Sequence, residues 1–215
     1  MITEVTILHT DLRGERGPAG AAVSKKDLAR MESDGARRLT AAALSLYLGT
    51  DPSEADLRGE VRTPEGKPYF PAFPDFHYSI SHSGGLVVCA AWSQPVGIDL
   101  QRIPSDPEKA LKIADRFFSV SEQETLRKLQ HEDPSAMLTL FARYWTARES
   151  YIKLTGRGLA EPFADYYPDL KESRIHTKSG GTFCLTACIA PEGYYMTLCS
   201  HVPILPDGLI YQPVF

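Results

Sequence analysis

Apolar residues recur at helical spacing in two long segments of this chain. Residues Lys26–Leu48 form one amphipathic pattern that Gly49 is placed to end, and Gly35 could divide it into two helices. A second pattern begins at Pro134 and ends near Thr155, with Gly156 directly after it. The first stripe consists of Leu28, Met31, Leu39, Ala42, Ala43, Leu46 and Tyr47. Both segments therefore predict long helices that each bury one face.

Short apolar or alternating runs predict β-strands on either side of the second long helix. The runs are Glu4–Thr10, Tyr78–Ile80, Leu86–Trp92, Val96–Leu100, Thr182–Ile189 and Tyr194–Ser200. Two shorter helices are predicted over Glu108–Phe118 and, from a capping box of Ser121 with Glu124, to about Gln130. Segments 11–24 and 50–76 are predicted to be loops, and Pro203–Phe215 an irregular tail.

The order of these elements divides the chain into two similar halves. Each half contains helix and a few antiparallel strands, and a break at Pro104, Asp106 and Pro107 separates them. The pattern predicts an α+β fold with an N-terminal part over residues 1–104 and a C-terminal part over residues 105–215.

Composition and charge exclude several classes of protein. The chain has 215 residues, 43% of them hydrophobic, and a net charge of −4, so its overall field does not attract nucleic acid or an anionic membrane. No apolar run is long enough to cross a bilayer and the N-terminus does not resemble a signal peptide, which favours the cytoplasm. None of the four cysteines forms a CxxC pair, so free thiols are expected rather than disulfides or zinc.

The most informative chemistry lies in the segment Phe141–Leu159. It places Glu149 and Lys153 four residues apart on one face of the second long helix, and Asp99 ends an upstream strand. A strand-end carboxylate and a helix-borne acid with a lysine can hold a divalent metal against a phosphate. The alternatives are a surface ion pair between Glu149 and Lys153, and an Asp99 that caps a turn.

Further residues near these acids favour the binding of a phosphorylated ligand. Strand alternation puts Gln101 on the same side as Asp99, where it offers a second oxygen to a metal. His82 lies between two serines and precedes two glycines that permit close backbone approach, as in a phosphate cradle. The Gly66–Pro68 segment presents Lys67 on a stiff loop that suits an anion.

Taken together and in order, these motifs resemble the 4′-phosphopantetheinyl transferases of the larger, monomeric, surfactin-synthetase-activating type. The matching segments are GKPYF, HYSISHSGG, QPVGIDLQRI, ADRFFS and YWTARESYIKLTGRGL, which together span residues 66–159. The resemblance implies a pseudo-twofold pair of similar α/β subdomains with the active site in the cleft between them. It also implies transfer of 4′-phosphopantetheine from coenzyme A to a serine of an acyl or peptidyl carrier protein, with release of adenosine 3′,5′-bisphosphate.

The resemblance implies a role for each candidate residue. Asp99, Gln101 and Glu149 would bind Mg²⁺, Glu149 would take the proton of the incoming serine, and Lys153 would neutralise phosphate charge. The residues that would bind coenzyme A are Arg38, Lys67, Pro68, Ser81, His82 and Lys153. Asp99, Glu149 and Lys153 would form the catalytic group.

One position departs from the pattern of the family, which commonly has Glu where this chain has Gln101. Two competing hypotheses remain: a degenerate member that binds coenzyme A or carrier protein without transfer, and a two-domain Mg²⁺-dependent nucleotide-binding protein. Fatty-acid, polyketide, nonribosomal-peptide and aryl carriers are all open as partners. A monomer is expected, because two fused halves supply what smaller relatives obtain by oligomerising.

Overall fold

A computed structural model describes residues 2–14, 23–158 and 161–215. Most of the loop predicted over 11–24, and Leu159 at the end of the helix motif, lie outside the described residues. The helices are α1 (Lys25–Leu48), α2 (Glu54–Arg58), α3 (Pro107–Phe117), α4 (Val120–Glu132) and α5 (Pro134–Thr155). The strands are β1 (Val5–Asp11), β2 (Val61–Arg62), β3 (Pro68–Tyr69), β4 (His77–Ser83), β5 (Leu86–Trp92), β6 (Val96–Arg102), β7 (Tyr166–Asp169), β8 (Arg174–Thr177), β9 (Thr182–Ala187), β10 (Tyr194–Ser200) and β11 (Leu209–Pro213).

The strands form two main sheets and one small hairpin. The first sheet has the order β11-β1-β5-β4, the second has the order β6-β10-β9-β8-β7, and β2 pairs with β3. All pairings are antiparallel except that of β1 with β11. This mixture of sheets and helices confirms the predicted α+β class.

The continuous apolar run of β5 is explained by burial on both of its faces. Val88 and Ala90 belong to a core shared with β1, β6 and β10, whereas Val87 and Cys89 face a second core beneath α1. Helix α5 covers the second sheet in the same way, through a core that includes Tyr151. Each main sheet thus has one long helix on one face and contributes to a common core on the other.

The two main sheets are joined by serine side chains of β4. The hydroxyls of Ser79, Ser81 and Ser83 accept hydrogen bonds from backbone N–H groups of β6, at 3.0, 3.1 and 3.0 Å. The partners on β6 are Ile98, Leu100 and Arg102. This serine ladder satisfies backbone donors along the edge of β6, and those of the buried Ile98 and Leu100 would otherwise lack partners.

Most predicted elements are confirmed, but three details of the helices are corrected. Gly35 does not divide α1, which runs through it without a break; it faces the first sheet, where an added Cβ would lie 3.2 Å from Val87. The capping box of α4 is formed by Ser119 and Glu122 rather than by the predicted pair. The region predicted as loop over 50–76 contains the short α2 and the β2–β3 hairpin.

The predicted boundary near residue 104 does not coincide with the division between the sheets. Strand β6 precedes that boundary, yet it pairs with β10 in the second sheet. The segment predicted as an irregular tail forms β11, which pairs with β1 in the first sheet. Each sheet therefore receives one strand from the opposite side of the predicted boundary, and the two-part division of the sequence stays a prediction.

Candidate active site

A buried ion pair connects α5 with β6. The ammonium of Lys153 donates to Oδ1 of Asp99 at 2.6 Å, and the Asp99 side chain is 7% exposed. The Ser81 hydroxyl donates to the same oxygen at 2.8 Å and accepts a hydrogen bond from Lys153, also at 2.8 Å. Lys153 thus pairs with a buried strand acid, and the alternative of a simple surface pair with Glu149 is wrong.

Close packing of the backbone brings these residues together. Gly97 lies two residues before Asp99 and faces α5, where an added Cβ would lie 2.9 Å from Cα of Leu154 and still nearer to the carbonyl of Ser150. The facing residues Thr146 and Ser150 of α5 are fully buried. The polar strip of the helix therefore faces β6, which positions Lys153 over Asp99.

Glu149 occupies the same face as Lys153, one helical turn earlier. Burial raises the pKa of Glu149, the nearby Asp99 carboxylate raises it further, and Lys153 opposes the shift. Among the described residues, none donates a hydrogen bond to Glu149. A half-buried carboxylate that faces a second carboxylate is stabilised in its ionised form by a cation.

The acids of this site fit a magnesium ion. Asp99 and Glu149 would supply two carboxylates, which is the number that Mg²⁺ commonly takes from a protein before waters and phosphates complete its shell. The Gln101 amide nitrogen donates to the carbonyl of Arg102 at 2.7 Å, which leaves its amide oxygen as the atom that could bind a metal. These three residues are the metal ligands implied by the resemblance.

A cavity of about 720 Å³ lies beside the acids, between α1, β4 and the C-terminal end of α5. That volume is in the range of sites that bind cofactors. Four of the six residues predicted to bind coenzyme A line its wall: Lys67, Pro68, His82 and Lys153. Lys153 therefore touches both the cavity and Asp99.

The other two predicted cofactor residues are placed elsewhere. Arg38 is exposed on α1 and is not part of the cavity wall, whereas its neighbour Arg37 is. Ser81 is 5% exposed and is also absent from the wall. The helical turn at residues 33, 36, 37 and 40 faces the cavity, and position 38 falls outside that face.

His82 and the glycine turn are held by a residue that the sequence did not single out. Glu32 of α1 is 7% exposed, accepts the backbone N–H of Gly85 at 2.9 Å, and lies 3.1 Å from Nδ1 of His82. The Gly85 N–H is thus already occupied and does not form a phosphate cradle. His82 lies within β4 rather than after it. Glu32 lies between Leu28 and Leu39 of the predicted apolar stripe. An acid within such a stripe was the sequence signal that could have identified it.

Lys67 lies over the C-terminal end of α5. Its ammonium donates to the carbonyl of Leu154 at 2.6 Å, and burial lowers its pKa to about 8. Gly156 has φ of 70°, and a Cβ there would lie 2.8 Å from Cδ of Lys67. The glycine that ends the helix therefore also leaves room for the lysine at the cavity wall.

The lowered pKa of Lys67 should make the free energy of unfolding depend on pH. Its pKa is about 8 in the folded protein and 10.5 when free, so the unfolded chain holds more protons between these values. The contribution of Lys67 to the free energy of unfolding should therefore increase between about pH 8 and 10.5, by on the order of 3 kcal/mol. Urea unfolding of the wild type and Lys67→Met across this range measures the difference. A difference independent of pH would contradict the buried cation.

A second group of possible metal ligands lies away from the cavity. Among the described residues, Asp169, Glu172 and His176 present ligand atoms within 4.8 Å of one another at the β7–β8 turn. All four cysteines are free, as predicted. In the described parts of the chain, no helix combines the length and the apolar character needed to cross a membrane.

Several known proteins have sequences similar to that of this chain. The sequence model of the 4′-phosphopantetheinyl transferase superfamily matches residues 95–202. A 4′-phosphopantetheinyl transferase of Bacillus subtilis is 36% identical over 148 residues, and the transferase Sfp of Bacillus subtilis (strain 168) is 34% identical over 149. Each match covers 67% of this chain and 63% of the relative.

A further relative shares a larger part of its length. The 4′-phosphopantetheinyl transferase ffp of Bacillus subtilis is 32% identical over 161 residues, which cover 73% of this chain and 69% of the relative. The family model begins just before β6 and includes α5, the two elements that carry Asp99 and Glu149. The chain therefore belongs to the 4′-phosphopantetheinyl transferase superfamily.

Proposed function

We propose that this protein transfers 4′-phosphopantetheine from coenzyme A to a serine of an acyl or peptidyl carrier protein, in a reaction that depends on Mg²⁺. One observation carries the proposal. Lys153 forms an ion pair with Asp99 at 2.6 Å and also lines the cavity of about 720 Å³. Glu149 lies one helical turn before it. Cations for phosphate, acids for a metal and space for a nucleotide thus meet at one place.

Each candidate residue would have its own role in the proposed reaction. Glu149, whose pKa is raised by burial and by Asp99, would accept the proton of the carrier serine. The serine oxygen would then attack the phosphorus that bears phosphopantetheine, with adenosine 3′,5′-bisphosphate as the leaving group. Lys153 would offset the charge on the phosphates, and Lys67 and His82 would bind phosphates from the cavity wall.

The metal would supply electrostatic stabilisation. Asp99, Glu149 and Gln101 would hold Mg²⁺, which would supply positive charge to offset that of the phosphates. The burial of Asp99 limits the number of waters that compete for its carboxylate. Lys153 would remain within reach of both Asp99 and the phosphates.

The partners follow from this chemistry. Carrier proteins of fatty-acid, polyketide, nonribosomal-peptide or aryl type are the acceptors to test, and coenzyme A is the donor. We further propose that the protein acts as a monomer in the cytoplasm and binds neither nucleic acid nor membranes. The net charge of −4 supports the last point.

Intact-protein mass spectrometry of apo carrier proteins tests the proposal. Incubation with coenzyme A, Mg²⁺ and this protein should add one phosphopantetheine group to at least one carrier type. A carrier with its acceptor serine changed to alanine is the matched control. Coenzyme A binding without a mass gain on any carrier type would favour the degenerate binding protein instead.

Because Gln101 is neutral, the wild-type protein should need a higher Mg²⁺ concentration than a variant with Glu at this position. Replacing Gln101 by Glu adds a third charge to the metal site, so half-saturating Mg²⁺ should fall by about tenfold. Mg²⁺ titrations of the transfer rate measure the change, with Gln101→Ala as the variant that has no ligand oxygen. An unchanged requirement in Gln101→Glu would reject Gln101 as a ligand.

A further inference from the structure

The hydroxyl of Ser81 has no free hydrogen-bonding capacity. A serine hydroxyl offers one donor and two acceptor positions. It donates to Oδ1 of Asp99 at 2.8 Å and accepts from the Leu100 N–H at 3.1 Å and from the Lys153 ammonium at 2.8 Å. Because all three positions are used and Ser81 is 5% exposed, the side chain cannot also bind a phosphate. The role that the resemblance implied for Ser81 does not fit this geometry.

We infer that Ser81 is a positioning residue for Asp99 and Lys153. Its hydroxyl and the Lys153 ammonium occupy Oδ1 of Asp99, whereas Oδ2 accepts no hydrogen bond from the described residues. These two bonds fix the rotation of the carboxylate, so that Oδ2 would be the oxygen left for a bound cation. The hydrogen bond from the Leu100 N–H holds the Ser81 hydroxyl against β6. The hydroxyl in turn holds the Asp99 carboxylate and the Lys153 ammonium in fixed positions relative to that strand. The inference rests on the metal site of the proposed function.

The serine ladder supplies its own control. Ser79 is 4% exposed and accepts the N–H of Ile98 at 3.0 Å, much as Ser81 accepts that of Leu100. Among the described residues, no acid or lysine forms a hydrogen bond with Ser79, although Ser79 does line the cavity. Alanine at either position therefore removes one bond between β4 and β6, but only Ser81→Ala also removes a hydrogen bond to Asp99 and one to Lys153. Ser83, which accepts the N–H of Arg102 and does not line the cavity, is the second control and separates an effect on the ladder from one on the cavity wall.

Binding of Mn²⁺ with saturating coenzyme A tests this role without any carrier protein. The electron-paramagnetic-resonance signal of free Mn²⁺ is titrated with each variant, and coenzyme A alone gives the baseline. All proteins carry Asp169→Ala, which removes the exposed group at the β7–β8 turn as a competing site. The variants are Ser79→Ala, Ser81→Ala, Ser83→Ala and Ser81→Thr, the last of which keeps the hydroxyl.

Ser81→Ala should weaken Mn²⁺ binding by about 10- to 100-fold, which is typical when a partner of a metal ligand is removed. Ser79→Ala and Ser83→Ala should change it by less than about threefold, and Ser81→Thr should restore most of it. The melting temperatures of Ser79→Ala and Ser81→Ala should agree within about 4 °C.

Two results would overturn the inference, and they differ in what else they reject. If the parent protein binds Mn²⁺ but Ser81→Ala and Ser79→Ala weaken it equally, or not at all, Ser81 is only a structural member of the ladder. The proposed function would survive that result. If the parent protein does not bind Mn²⁺ above the coenzyme A baseline, the proposed metal site fails and the positioning role fails with it.

Discussion

Replacing Glu149 by glutamine should lower the rate of phosphopantetheine transfer by about a thousandfold while the protein stays folded. Glutamine keeps the shape of the side chain but removes both the base and one of two carboxylates that would face the metal. General base catalysis alone accounts for about 100- to 10,000-fold in rate. The measurement is kcat/KM for an apo carrier protein at saturating Mg²⁺ and coenzyme A.

The stability of the same variant distinguishes a catalytic loss from unfolding. The pKa of Glu149 is raised in the folded protein, so its ionised form costs stability once the pH rises above the ordinary range of a glutamate. Without metal, Glu149→Gln should therefore be at least as stable as the wild type at pH 7 to 8, roughly the physiological range. Its advantage should disappear at lower pH, where Glu149 is protonated in both states.

Glu124→Gln makes the same change of charge at an exposed position of α4 and is the matched control. It should retain the full transfer rate. If Glu149→Gln keeps more than about a tenth of that rate, Glu149 is not the base. Loss of the folded state in Glu149→Gln would contradict the expected gain in stability.

Sequence alone predicted the elements whose signals are local. Helix α5 begins at Pro134 and ends before Gly156 as expected, because proline suits the first helical turn and glycine adopts the left-handed conformation that ends it. The apolar run Leu86–Trp92 forms β5 with the predicted bounds. Alternation in β6 also places Ile98 in the shared core, opposite the face of Asp99.

The parts that could not be predicted depend on contacts between distant segments. The C-terminal segment Leu209–Pro213 pairs with β1. Its sequence contains no local signal for this pairing, and its mixture of apolar and polar residues is also typical of an irregular C-terminal segment. The ion pair between Lys153 and Asp99 joins residues 54 positions apart, and only helix packing decides that Lys153 turns toward β6 instead of toward Glu149.

The serine ladder shows how a motif can be recognised and still be misinterpreted. Serines at alternate positions of β4 share one face of the strand, so their spacing was visible in the sequence. A serine beside a histidine and two glycines suggested phosphate binding. The structure instead directs Ser79, Ser81 and Ser83 at the backbone of β6. The partner strand, which supplies the N–H groups, could not be identified from spacing.

Replacing Gly97 by alanine should destabilise the protein by about 3 kcal/mol or more, or prevent folding. The added Cβ would meet the carbonyl oxygen of Ser150 and the backbone nitrogen and Cα of Leu154. All three are backbone atoms of α5, and no rotation of a side chain can relieve the overlap. Urea unfolding and a ¹H–¹⁵N correlation spectrum measure the loss, with Gly208→Ala as the control because a Cβ there meets nothing within 4 Å.

The same substitution should weaken metal binding in any molecules that still fold. Helix α5 can accommodate a methyl group at residue 97 only by moving away from β6 as a unit, and this movement separates Lys153 and Glu149 from Asp99. Loss of stability and loss of the acid site should therefore occur together, whereas a substitution elsewhere in the core would lower stability alone. A Gly97→Ala protein within about 0.5 kcal/mol of the wild type would contradict the close approach of α5 and β6 on which the candidate active site depends.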